Sequence, residues 1–391
     1  MNGRRKLTLL DLYSGLGGLS LGFEFTGSFS TLAGLDFYPP AVETFYSYHS
    51  PRSPILSQPQ DLTRLEPSRV LDELGEAPDL IVGGPPCQGF SHAGRRLESI
   101  EEDERNIQVL RFLHYVEKMR PKAFLMENVS GILLTGQDSR YELLDNLTRH
   151  YRELGYAVSF KILNTAEFRV PQNRKRLILV GIRGARAPFV FPSPPCDGSE
   201  SGGLGLYEKV NTVADALSDL PTPTEDEPQD YELPPQTALQ AFLRQGSTCL
   251  HNHLVTNHSA EMLRKLAAQA VGTRLYPKWN HSWYRLNPDK PSPAVKENHR
   301  APFVHFSEDR ATSPRECARL QTIPDRIRLG RTKTHGLIMI GNAVPPIFSA
   351  HLATALAKQA FNVDVEVPWS VEHNPLKRLA PKRRKIPAVP G

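Results

Sequence analysis

Short apolar runs alternate with helical periodicity through the first half of the chain. Lys6 to Leu10, Asp79 to Val82, Lys122 to Met126, Val158 to Leu163 and Arg176 to Ile182 read as buried strands. Between them, residues 40–49, 105–119 and 139–154 carry apolar positions at helical spacing. Strands alternating with helices of that length predict an α/β fold, a doubly wound, mostly parallel, Rossmann-like sheet. A further apolar run, STLAGLD, closes on Asp36. The alternation stops at Pro192, where PSPPCDGSESGGLG and the acidic PTPTEDEPQDYELPP punctuate an irregular second module. Regular text resumes near Ser313 with SPRECARLQTIPD and LIMIGNAVPP, and a helix over 346–361 follows. The expected division is a main body over 1–184 and 308–365, an inserted module over 185–307, and a basic, disordered tail over 366–391. No internal repeat is present.

The composition narrows the class. Proline, at 34 of 391 residues, exceeds the usual share of about 5% and argues against a helical bundle. Four cysteines without close pairing (Cys87, Cys196, Cys249, Cys317) argue against a disulfide framework or a CxxC metal site, and fit a reducing cytoplasm; no metal is expected. Asp11 interrupts the apolar start well short of a signal sequence or membrane span, so a soluble protein without membrane contact is expected. The formal charge of +5 equals what residues 370–391 alone carry, with Lys377, Arg378, Lys382, Arg383, Arg384 and Lys385 against Glu372. The rest is neutral, so a phosphate-binding surface must be a local patch.

Four segments carry candidate chemistry. After the first strand, DLYSGLGGLSLGFE places Gly15, Gly17, Gly18 and Gly22 where a tight turn lets a ligand approach the backbone at a helix start. Asp36, about 20 residues on, stands where an acidic side chain can bind ribose hydroxyls. A plain turn, or a nicotinamide or flavin site, would use the same arrangement. The third strand runs into GGPPCQGFSHAG, so Cys87 leaves the C-terminal sheet edge on a proline-fixed turn that aims its thiol outward, unlike a buried apolar cysteine. A thiol of ordinary pKa needs nearby N–H groups or a cation to act as a nucleophile. The fourth strand ends LMENV and brings Glu127 and Asn128 to the same edge, where a carboxyl and an amide can read a polar ring. VPQNRKRLILVG puts Arg174 and Arg176 one strand period apart as a strand begins.

In order, DLYSGLGG, GGPPCQGFS, MENV, VPQNRKR, RECARLQ and GNAVPP resemble the cytosine-C5 DNA methyltransferase family, bacterial restriction-modification type, over roughly residues 8–183 and 285–360. The resemblance implies S-adenosylmethionine as cofactor. Tyr13 would stack on the adenine, Asp36 would take the ribose hydroxyls, and Asp61 with Leu62 would meet the adenine edge. The backbone of Gly15, Gly17 and Gly18 would face the methionine part, and Asn342 and Val344 would close the pocket; Asp11, Phe37 and Pro85 complete the expected cofactor set. The helix after Arg105 departs from the family, and Gln108, Val109 and Leu110 leave a contact there unassigned. A PPC turn also separates this family from amino-methylating enzymes, which resemble one another through PPY or PPW.

The same resemblance implies a mechanism on a cytosine flipped out of double-stranded DNA. Cys87 would attack C6, Glu127 would neutralise charge building toward N3, Arg176 would hold O2, and Asn128 and Arg174 belong to the same catalytic set. The base that removes the C5 proton is not identified; water is a candidate. Gln88, Ser91, Arg95 and Arg96 lie on a segment that could close over the flipped base.

Residues 185–307 fall where the family inserts its target-recognition domain. Its stretch VGTRLYPKWNHSWYRLNPDKPSPAVKENHR offers Arg274, Lys278, Arg285, Lys296 and Arg300 as DNA contacts, with the tryptophans Trp279 and Trp283 read as a small core. Ala294 and Val295 stand where the family often has Thr and an apolar residue. Arg315 and Glu316 are expected to brace the two lobes rather than react; Cys317, Cys196 and Cys249 are assigned no role. Because the core begins by residue 8, a monomeric modification partner of a restriction endonuclease is expected. The alternatives are a tRNA cytosine methylase, disfavoured by the long variable region, an inactive DNA-binding homologue, and an NAD oxidoreductase, which would explain only the glycines.

Overall fold

The computed structural model describes residues 5–86, 107–129, 139–197, 208–277, 283–297 and 303–365. Strand β1 (Leu7–Leu12) leads into α1 (Gly18–Phe25), β2 (Phe29–Leu35), α2 (Pro39–Tyr46), α3 (Pro67–Leu74) and β3 (Leu80–Gly83). Then come α4 (Ile107–Met119), β4 (Ala123–Val129), α5 (Ser139–Glu153), β5 (Tyr156–Asn164), β6 (Gln172–Asn173) and β7 (Lys175–Arg183). The six-stranded sheet has the order β2-β1-β3-β4-β7-β5. β1 pairs in parallel with β2 and β3, and β3 with β4, whereas β7 runs antiparallel to both β4 and β5. The expected strands are all present, and the sheet is mostly parallel. The reversal of β7 has a direct consequence for the site: a strand that starts at the edge where β4 ends places Arg176 beside the end of β4, with Val129 paired to Arg176.

Both faces of the sheet are covered, which is why β3 reads as an unbroken apolar run with every residue buried. One apolar cluster joins Leu10, Leu12, Ile81, Phe124, Met126, Leu177 and Leu179 of the sheet to Val70 of α3, Val109, Phe112 and Val116 of α4, and Leu144 and Leu147 of α5. The opposite cluster joins Leu9, Leu80, Leu125, Ile178 and Val180 to α1 and to the C-terminal helices α9 (Pro314–Leu320), α10 (Lys333–Asn342) and α11 (Pro346–Phe361). The helical stretch Lys333–Phe361 is long and apolar enough to cross a membrane, but its most apolar window is 83% buried inside the protein, as a core helix pair would be.

Between β7 and α9 the chain forms short elements only: β8 (Cys196–Asp197), β9 (Glu208–Lys209), α6 (Val213–Leu217), α7 (Ala238–Leu243), α8 (Ala260–Ala267) and β10 (Ser292–Pro293). Phe189, Val213, Leu217, Phe242, Leu243, Leu286 and Phe303 from this region share the apolar cluster of the C-terminal helices. Charged groups lock the same junction. Arg319 donates to both oxygens of Asp325 (3.0 and 2.6 Å) and is ion-paired with Asp219, all three fully buried. Arg310 reaches both oxygens of Glu316 (3.0 and 2.8 Å), and this cation, working against burial, holds the Glu316 carboxyl down to about 2. Arg315 donates to the carbonyls of His251, Pro324 and Ile327. These contacts give Arg315 and Glu316 the bracing geometry the motif suggested. Cys317 is buried and its thiol is pushed up to about 12 by desolvation, which keeps it protonated and unreactive.

Candidate active site

The turn between β1 and α1 is unusual in its backbone. Tyr13 (φ 57), Gly15 (φ 55) and Gly17 (φ 87) all adopt the left-handed region within five residues. For Tyr13 that conformation is uncommon, and such outliers concentrate at ligand sites. The Tyr13 hydroxyl donates to the Gln108 carbonyl (3.0 Å) at the start of α4, which ties the turn to that helix. Gly17, the N-cap of α1, bears no side chain because a Cβ would strike Tyr48 and Phe45, and a Cβ on Gly18 would land on the Val344 carbonyl oxygen. The first glycine loop and the last motif of the chain are thus in direct contact. Gly18→Ala is expected to cost about 1–3 kcal/mol, because the obstacle is backbone that cannot rotate away. Chemical denaturation checks this, and a wild-type midpoint would contradict it.

Asp36 ends β2 and anchors the turn: its two oxygens accept from the Gly15 amide (2.8 Å) and the Tyr38 amide (2.9 Å). Burial raises its pKa against these bonds. Phe37, beside it, is 65% exposed, a large apolar ring left in solvent at the pocket rim. Asp61 is exposed and held by Thr63, whose hydroxyl and amide lower its pKa, while Leu62 is buried and its carbonyl accepts from Arg111 (2.8 Å). Asn342 is exposed at the end of α10, and Val344 is buried against Gly18. Asp11 is fully buried in β1. One of its oxygens accepts from the Ser20 amide (3.3 Å); the other has no partner, and desolvation raises the carboxyl to about 7.

At the opposite lip stands the second group. β3 and β4 are paired with Gly83 opposite Met126, so the Gly84-Pro85-Pro86 turn leaves the sheet beside Glu127. The Glu127 carboxylate lies over Gly84 and is 8% exposed. Arg176 approaches it from β7, Nε to Oε1 2.7 Å, an ion pair close in distance but not aligned as a hydrogen bond, so that oxygen keeps its accepting capacity. Register explains the meeting. Glu127 pairs with Ile178, and Arg176, two residues earlier, shares that face as a diagonal neighbour. Cys87, Gln88, Ser91, Arg95, Arg96, Lys278, Arg300 and the tail lie outside the described residues. Pro86 is the last residue before Cys87, so the chain approaches the thiol position from directly beside Glu127.

Three expected site residues are placed differently from the sequence reading. Asn128 faces the other side of β4 from Glu127, as strand alternation requires; its amide donates to the Pro85 carbonyl (3.2 Å) and its oxygen accepts from the Val129 amide (2.8 Å). It pins the turn before Cys87 instead of facing a base. Arg174 precedes β7 and is 3% exposed, its guanidinium donating to the carbonyls of Val295 and Gly341 (both 2.9 Å). Burial, with Arg176 nearby, lowers its pKa to about 9. Arg285 is also buried, its two terminal nitrogens donating to Asp309 (2.7 Å) and to the carbonyls of Leu266, His305 and Glu308 and its Nε buried without a partner, so it is not a surface cation. Arg274, in contrast, is exposed, and Trp283 is half-buried against His258. Gln172 and Gly341, which the sequence did not single out, complete the junction: Gln172 accepts from the Val295 amide (3.1 Å) and donates to the Leu320 carbonyl (3.1 Å).

A doubly wound sheet with a left-handed glycine turn after its first strand and a carboxylate–arginine pair beside the Gly84-Pro85-Pro86 turn is the arrangement of a base-modifying methyltransferase. The chain belongs to the C-5 cytosine-specific DNA methylase family, whose model matches residues 7–359, and it is a DNA cytosine-5 methyltransferase. It is 32% identical to the type II methyltransferase M.DdeI of Desulfomicrobium norvegicum, over 92% of this chain and 90% of that one. It is also 32% identical to M1.HphI of Haemophilus parahaemolyticus, over 91% and 88%. A putative DNA modification methyltransferase encoded within a prophage of E. coli shares the fold, with TM-score 0.72 and 23% identity, covering 90% of this chain and 99% of that one.

Proposed function

We propose that this enzyme transfers the methyl group of S-adenosylmethionine to C5 of a cytosine flipped from duplex DNA, through a covalent bond between Cys87 and C6. The Glu127–Arg176 pair beside the Gly84-Pro85-Pro86 turn carries this reading. Cys87 as thiolate adds at C6, and the displaced electron pair moves toward N3 and O2. Arg176 holds O2, while Glu127 donates a proton to N3 from one carboxyl oxygen and accepts from the exocyclic amine with the other, taking that proton back when Cys87 leaves. Cytosine C5, now nucleophilic, takes the methyl group. Loss of the C5 proton to a base, with water the candidate, restores the C5–C6 double bond and expels Cys87. Asn128 and Arg174 act as positioning residues, one on the turn before the thiol and one on the strand start that carries Arg176.

The pocket at the other lip fits the cofactor. S-adenosylmethionine, when bound, supplies an electrophilic methyl on a sulfonium. Asp11 Oδ1, Ser14 Oγ and Gln108 Oε1 are buried without hydrogen-bond partners, acceptors suited to an ammonium and an amino group. Tyr13 and Phe37 offer rings for the adenine, Asp36 and Asp61 carboxylates for the ribose and the base edge, and Asn342 an exposed amide for the methionine end. A cation beside Asp11 favours its ionised form. Cofactor affinity is therefore expected to rise as pH increases toward about 7, approaching tenfold per pH unit well below that value, and to level off above it. Asp11→Asn should flatten the profile; an unchanged profile would remove Asp11 from the site. The same raised pKa makes the cofactor-free fold gain stability from this group at acid pH, fully present below the unfolded value of 3.8 and lost as pH rises through about 7.

The names of the type II relatives support a role in protecting DNA from a restriction endonuclease. Bisulfite sequencing of plasmid from cells expressing the protein tests the activity and reads the target. Methylation of tRNA with none on duplex DNA would favour the alternative substrate.

A further inference from the structure

The segment that follows β10 is held beside the start of β7 by contacts from two other parts of the chain. β10 runs parallel to β6, Ser292 opposite Gln172 and Pro293 opposite Asn173, and the chain runs on from there to Lys296. Gln172 accepts from the Val295 amide, and Arg174 ties the Val295 carbonyl to the Gly341 carbonyl. Gly341 itself lies so close that a Cβ there would strike the backbone of Lys296 and Glu297. This clamp fixes the backbone on either side of Lys296 while leaving its side chain exposed. Arg174, which holds the Val295 carbonyl, stands two residues before Arg176, and burial of the Lys296 stem together with the charge of Arg176 lowers the Lys296 pKa. Glu127 is paired with Arg176, and the Lys296 ammonium is left as a cation without a hydrogen-bond or carboxylate partner among the described residues.

We infer that Lys296 binds the phosphodiester adjoining the flipped cytosine, so that a clamped cation from the variable region fixes the backbone of the very nucleotide whose base Glu127 and Arg176 hold. A nucleotide turned out of the duplex brings its own phosphates to the pocket mouth with the base inside, and a phosphate is the anion such a cation would meet. This inference rests on the proposed function. It goes beyond general DNA affinity by naming one phosphate, and it gives this chain a charged group where Ala294 and Val295 supply no polar one.

The test is a cycle between protein and DNA. Duplexes carrying the target site are prepared with a methylphosphonate, which removes one phosphate charge, at the linkage 5′ or 3′ of the target cytosine or at a linkage several nucleotides away. Wild type and Lys296→Met, which keeps the stem, are compared in the presence of S-adenosylhomocysteine. Lys296→Met is expected to weaken binding of the unmodified duplex about tenfold and to reduce the salt slope of binding by about one. One adjoining methylphosphonate should weaken the wild type about tenfold and the variant scarcely at all, and Lys296→Arg should restore most of the affinity. Equal proportional losses in wild type and variant at both adjoining linkages, or wild-type affinity in Lys296→Met, would overturn the inference. Wild-type methylation of the unmodified duplex is scored separately. If it occurs and the cycle shows no coupling, only the role of Lys296 fails; if no cytosine in duplex DNA is methylated, the proposed function fails.

Discussion

Cys87→Ser is expected to lower the single-turnover rate of methyl transfer by about 10³-fold or more while leaving S-adenosylmethionine affinity within about twofold of wild type. The asymmetry follows from geometry. The residues proposed for the cofactor, Asp11, Gly15, Gly18, Asp36 and Val344, lie on β1, the turn into α1, the residue after β2 and the segment after α10, whereas the turn that ends at Pro86 follows β3 and lies beside Glu127. A serine hydroxyl cannot supply at neutral pH the anionic nucleophile that a thiol can. Incubation with a duplex bearing 5-fluorocytosine at the target sharpens the test. Fluorine at C5 leaves no proton to remove, so elimination fails and the wild type should accumulate a complex that survives denaturation. Cys87→Ser should form none. Turnover near wild type, or a trapped complex in the serine variant, would sink the covalent mechanism.

Most of the sheet was legible because buried strands announce themselves as apolar runs, and those runs ended within a few residues of the observed strands. Direction was not legible. Nothing in RLILVGI says whether its strand runs with or against its neighbours, yet the reversal of β7 is what brings Arg176 to the end of β4. The pairing of Glu127 with Arg176 follows from motif order plus that reversal. The separation of Glu127 from Asn128 could have been read earlier, since adjacent strand residues face opposite sides.

Arginines were the hardest residues to place. Arg174, Arg285 and Arg176 look alike in sequence, and exposure to DNA is the natural reading of a basic stretch. What distinguishes them is the acceptor each meets. Arg174 reaches carbonyls 121 and 167 positions away, and Arg285 reaches carbonyls 19 to 23 positions away. Backbone carbonyls exist at every residue, so no sequence mark records which ones converge on a guanidinium. The buried Arg319–Asp325–Asp219 and Arg310–Glu316 groups were hidden for the same reason, apart from the bracing role read for Arg315 and Glu316. Gly341 became informative only once the backbone of Lys296 was seen against it.

Glu127→Gln is expected to reduce the rate of methyl transfer by about 10²- to 10⁴-fold, the range of a positioned acid–base group, with cofactor affinity unchanged. The substitution keeps size and hydrogen-bonding capacity but removes the charge and the ability to hold the proton that N3 requires. It also frees Arg176, whose Nε otherwise stands 2.7 Å from the carboxylate. Arg176→Ala should therefore cost less in the glutamine background than in the wild type, because the two groups grip one base and steady each other. Single-turnover methylation of one duplex by the wild type, both single variants and the double variant measures this. A loss below about threefold for Glu127→Gln would exclude the carboxyl from the chemistry. Strict multiplication of the two single losses would mean that the ion pair orients nothing, and that each side chain meets the cytosine independently.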